Sequence, residues 1–120
     1  MPLIACWFRA FLWTLGSELL VAGIGLRGRV PLGRRLSLIA IANVATHPAV
    51  WLIFPELGAA RGWPATVTLV ASEAWAFGFE AFVYWVFLGN GRARAAIATS
   101  VAANATSFGL GFLLRAFGWV

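Results

Sequence analysis

Lysine and aspartate are missing altogether, and cysteine, histidine, tyrosine and methionine occur once each. The lone Cys6 excludes an internal disulfide and a cysteine-built metal cluster. Without lysine, all nine positive side chains are arginines. They stand mainly in short links and at helix ends, with no basic face and no RNA-binding motif, so no nucleic-acid partner is expected despite a net charge of +5. Negative charge is scarcer still: Glu18, Glu56, Glu73 and Glu80 are the only acids. The spacings His-x-x-x-His and Glu-x-x-His are absent, so no standard metal signature is present.

The chain is rich in hydrocarbon. Of 120 residues, 62% are hydrophobic and 11% charged, and the mean hydropathy is +0.87. A soluble domain of this size could not hide so much apolar surface, so a lipid bilayer is expected as solvent for much of it. Seven tryptophans and ten phenylalanines fit aromatic anchoring at membrane interfaces.

Four apolar segments are separated by turn-forming residues. The first, about Leu3–Leu26, carries Arg9 and Glu18 and lacks a small-x-small cleavage site, so it reads as a retained helix rather than a signal peptide. It ends at "RGRVPLGRR". The second, about Leu36–Phe54, is expected to stop at Pro55, with "PELGAARGWP" as a link. The third runs from about Pro64 to Leu88, where Gly89, Asn90 and Gly91 form a turn, and the fourth covers about Ala95–Trp119. Each is long enough to span a bilayer as a helix. The expected architecture is an all-α membrane protein, one domain over residues 1–120, with four transmembrane helices in an antiparallel bundle.

Arg27, Arg29, Arg34, Arg35, Arg92 and Arg94 fall in the first and third links, against Arg9, Arg61 and Arg115 on the other side. The positive-inside rule then makes those links cytoplasmic and both termini extracytoplasmic, in a multi-pass protein of the cell (inner) membrane.

The two halves, about 3–54 and 64–119, share a pattern: a glutamate, the rest of a helix, a Gly/Arg turn, then a helix with Ala-Asn-x-x-Thr/Ser. Glu18, Ala42, Asn43 and Thr46 match Glu80, Ala103, Asn104 and Ser107, which reads as a duplicated two-helix unit with parallel halves. At 1.5 Å per residue, both glutamates and both asparagines lie roughly 12–15 Å from the arginine-rich turns. They should share a layer in which each asparagine donates to the carboxylate of its own half or of the other. The alignment sets Glu73 against Phe11 and His47 against Phe108, and depth suggests a Glu73–His47 pair. Pro48 should kink its helix beside His47 and free the carbonyl of Val44.

Several functions suit such a layer. Glu18, Asn43, Thr46, His47, Glu73, Glu80, Asn104 and Ser107 form a candidate ion-binding set, in which a carboxyl group exchanges its proton for a cation during binding or transport. Glu18, His47, Glu73 and Glu80 could instead hold a divalent metal ion. An enzyme reading would need Ser107 or Thr46 as nucleophile with His47 as base, and is disfavoured for want of a catalytic motif. The remaining alternative is a non-catalytic accessory or interaction subunit of a membrane complex, whose polar layer specifies helix register. Besides the bilayer, a homodimer or a larger membrane complex is the partner to expect. Cys6 reads as an inert thiol, Glu56 as a solvated charge, and Arg9 and Arg115 as side chains reaching headgroups.

Overall fold

The computed structural model describes residues 2–89 and 91–119, so Asn90 of the Gly/Asn turn, and both terminal residues, lie outside the described residues. Among the described residues all regular structure is helical. α1 spans Pro2–Gly25, α2 Leu32–Pro48, α3 Phe54–Arg61, α4 Ala65–Leu88 and α5 Ala93–Ala116. A π-helical turn, Ala49–Ile53, joins α2 to α3 without a break, so Leu32–Arg61 is one helical run of 30 residues. The described residues therefore form four long helical rods. Three of them, Ile4–Gly25, Leu32–Arg61 and Ala93–Ala116, are long and apolar enough to cross a membrane. α4 matches α1 and α5 at 24 residues, and Glu73 and Glu80 lower its mean hydropathy.

The second rod corrects the sequence reading. Pro55 does not end it; the helix continues to Arg61 and stops at Gly62, whose left-handed φ of 65° no β-carbon hinders. The π turn supplies the reason. Phe54 N–H bonds to Ala49 O, five residues back, and Pro55, with no N–H to donate, follows directly in the first turn of α3. The irregular stretch, Ala49–Ile53, directly follows Pro48.

α1 packs against α2 and α5, and α4 packs against the same two helices. Close approach is set by glycine. A β-carbon on Gly25 of α1 would stand 2.7 Å from Thr99 Oγ1 of α5, and one on Gly58 of α3 would likewise collide with Thr68 of α4. Gly25→Val is expected to destabilise the protein by about 1–3 kcal/mol, with partial recovery in Gly25→Val/Thr99→Ala. Thermal unfolding in detergent micelles measures both.

Arginines close the end where the first and third links lie. Arg29 Nη1 donates to Gly25 O at 2.8 Å and Arg35 Nη1 to Gly23 O at 2.7 Å, which satisfies carbonyls at the bare C-terminus of α1. The Arg34 guanidinium lies 5.3 Å from the centre of the Phe87 ring and so ties the start of α2 to the end of α4. Just inside this end, Leu26, Val30, Leu38, Ile39, Leu88 and Ala96 form the buried apolar core with Ala22, Ala42, Tyr84 and Ala103. Most other large apolar side chains point outward: Leu20, Ile24, Ile41 and Val70 are each more than 60% exposed.

Candidate functional site

Immediately beyond the apolar core lies a layer of six polar side chains. Glu18 and Glu80 are both 1% exposed and come from α1 and α4. Asn43 Nδ2 donates to Glu18 Oε2 at 2.7 Å, and Asn104 Nδ2 donates to Glu80 Oε2 at 2.5 Å. Each amide also donates to the carbonyl four residues back in its own helix, Ile39 O and Ser100 O, both at 3.0 Å. Both N–H bonds of each side-chain amide are thus used, and each asparagine serves the glutamate of its own half.

The hydroxyls cross over. Ser107 Oγ of the second half lies 3.0 Å from Glu18 Oε1, and Thr46 Oγ1 of the first half lies 3.1 Å from Glu80 Oε1. Each hydroxyl also has a carbonyl of its own helix in reach, Asn104 O at 3.1 Å and Ala42 O at 3.0 Å. A hydroxyl has one hydrogen and two lone pairs. Beside an ionised carboxylate it donates to the carboxylate. Beside a protonated carboxyl it accepts the carboxyl hydrogen and turns its own toward the backbone carbonyl. Either state is satisfied with no heavy atom moving.

On the side away from the apolar core, the layer is the floor of a cavity of about 850 Å³. Its walls come from all four rods: Ala10, Trp13 and Thr14 of α1, Val50 and Trp51 of the π turn, Ser72, Glu73 and Ala76 of α4, and Phe108, Gly111 and Phe112 of α5. Trp63 and Arg115 mark the end opposite the arginine-rich links. Small residues make the room: Ala10, Ala59, Ala65, Ala76 and Gly111 all line it.

His47 and Glu73 line this cavity but do not join the layer. The expected Glu73–His47 pair is not formed: among the described residues Glu73 makes no ion pair or hydrogen bond. His47 instead packs edge-on to Phe11 at 5.3 Å, beside Trp51 at 6.0 Å and Trp7 at 6.1 Å. Depth along a helix sets the level of a side chain but not the direction it faces. His47 faces α1 of its own half, and its buried Nδ1 has no hydrogen-bond partner. Among the described residues, no three of His, Cys, Asp and Glu are gathered closely enough to share a metal ion, so Glu18, His47, Glu73 and Glu80 are not brought together as one ligand set. Nor does either hydroxyl reach His47, as a base-activated nucleophile requires; both face glutamates.

Sequence reasoning passed over three residues. Tyr84, one turn below Glu80, is fully buried with its hydroxyl unpartnered. Ser100, also fully buried, donates to Phe77 O at 2.9 Å and accepts from Asn104 Nδ2 at 3.3 Å. Ser72, 3% exposed, lines the cavity. The available signal was helical spacing, since Tyr84 follows Glu80 by four and Ser100 precedes Asn104 by four. Comparison with protein-family models, with curated proteins and with solved structures finds no match.

Proposed function

We propose that this protein spans a cell membrane with its four rods, and that Glu18 and Glu80 exchange protons for a cation at the floor of the cavity, in binding or transport. The membrane reading rests on the outward apolar side chains and on a longest dimension of 41 Å, close to the ~40–45 Å of a bilayer with its headgroups. The duplicated two-helix unit rests on the repeated pattern Glu18–Asn43–Thr46 and Glu80–Asn104–Ser107. The arginine bias makes the sealed end cytoplasmic and directs the cavity away from the cytoplasm.

One observation carries the exchange reading. Each carboxyl group faces a hydroxyl that has a second acceptor on its own helix, so the layer accommodates either protonation state. A carboxyl that loses its proton as a cation arrives keeps the buried charge balanced, which is what makes ionised groups tolerable in hydrocarbon. In vesicles containing the purified protein, cation-driven proton movement is expected, and Glu18→Gln and Glu80→Gln should each abolish it. Movement that persists unchanged in both variants overturns the proposal. A second reading, a purely structural layer in an accessory subunit, draws on the fact that all four carboxylate oxygens already have donors without any ligand.

A further inference from the structure

We infer that the cation is a primary ammonium carried on an aromatic body, with the ammonium at Glu18 and Glu80 and the ring among the aromatic side chains of the cavity wall. The inference rests on the cation-site reading above and names the ligand class of that same site.

Size comes first. A cavity of about 850 Å³ is far larger than a bare or singly hydrated metal ion requires, and although Glu18, His47, Glu73 and Glu80 all line it, among the described residues no three such groups are gathered closely enough to share a metal ion. Its volume falls in the range of small-molecule sites, ~300–1,000 Å³, and it has the same build: mostly apolar walls and a few convergent polar groups.

Acceptor arithmetic selects the head group. An ionised carboxylate offers about four lone-pair positions. Glu18 and Glu80 each use two, one per oxygen, which leaves about four between them. The asparagine N–H groups and the hydroxyls supply donors only on the sides they already occupy. A primary ammonium brings three N–H donors and a single charge, so it can occupy most of these positions at once. A quaternary ammonium brings no N–H, and an anion would meet both carboxylates. As the ammonium enters, a carboxyl proton leaves through the cavity, so the net charge of the site is unchanged.

The walls select the body. Trp13, Trp51, Phe108 and Phe112 come from three different rods and surround the space above the floor. Their faces suit an aromatic ring, and their negative π surfaces suit a nearby cation. His47 lines the same cavity and extends its aromatic wall, stacked beside Trp51 at 6.0 Å.

Calorimetric titration of the purified protein in detergent micelles tests this with 2-phenylethylammonium. Methylammonium removes the ring, and 2-phenylethanol removes the charge. Saturable binding of 2-phenylethylammonium is expected, with methylammonium weaker by about tenfold or more and no saturable binding of 2-phenylethanol. Glu18→Gln and Glu80→Gln should each weaken it by about 10- to 100-fold, the range of one charge-assisted contact. If those variants fail to fold, Gly111→Leu serves instead. Its β-carbon enters open space, so the fold tolerates it, while the side chain occupies the room for the ring. It should narrow the ratio between the aromatic and methyl ligands. Equal binding of 2-phenylethanol, equal binding of methylammonium, or a ratio unmoved by Gly111→Leu overturns the inference. If 2-phenylethylammonium does not bind while the vesicles still exchange protons for small cations, this inference fails and the cation-site reading stands.

Discussion

Asn43→Leu is expected to destabilise the protein by about 1–3 kcal/mol, and Glu18→Leu/Asn43→Leu to recover most of that loss. Asn43 is fully buried and supplies one of the two donors to Glu18. Leucine in its place leaves Glu18 Oε2 without a partner beside apolar neighbours, and a buried polar group with no hydrogen-bond partner is costly in either protonation state. Removing the glutamate as well leaves an apolar pair of similar volume. Ser107 then keeps its bond to Asn104 O, so no new orphan hydroxyl appears. Chemical denaturation in mixed micelles measures the three stabilities, and the same three proteins are assayed for proton movement in vesicles. A double variant that is stable but inactive separates function from register. A double variant as unstable as the single one would show that Glu18 and Asn43 do not act as a pair. A stable double variant that retains full exchange would remove Glu18 from the function.

Cysteines placed above and below the polar layer are expected to differ in reactivity by about 100-fold or more toward a membrane-impermeant thiol reagent. Ser72→Cys and Ala76→Cys line the cavity, whereas Ala22→Cys and Ala96→Cys sit in the apolar core at 0% exposure. Each is made with Cys6→Ser, which removes the native thiol. In intact cells the cavity pair should react with reagent added outside; in inverted vesicles it should be protected. Reaction only in inverted vesicles would reverse the orientation read from the arginines. Equal reaction of both pairs would mean that the core below the layer is not sealed.

Part of this site was legible in the sequence and part was not, for a geometric reason. Glu18 with Asn43, and Glu80 with Asn104, are separated by 25 and 24 positions. Helical rise through a short turn is enough to put such residues at one depth. The exchange of Thr46 and Ser107 between halves could not be read, because it depends on how the halves pack rather than on rise along a helix. The same gap misplaced His47 relative to Glu73. Pro55 misled in another way: a proline normally ends a helix, and nothing in "AVWLIFPEL" announces the π turn that lets this one continue. The cavity was invisible as well, since it is the space left by alanines and a glycine scattered over four rods.

If the two halves arose by the duplication proposed above, the exchanged hydroxyls bear on ancestry. α1 with α2 carries one glutamate and its asparagine, and so does α4 with α5, yet each leaves its carboxylate one donor short. A shorter forebear holding a single such unit would have had an incomplete acid in its middle. It could complete that acid only by meeting a copy of itself, each lending a hydroxyl to the other. On the duplication proposed above, partnership would have come before fusion. Joining the two units would then have made permanent a loan between separate molecules, and would have let His47 and Glu73 differ from Phe108 and Phe11.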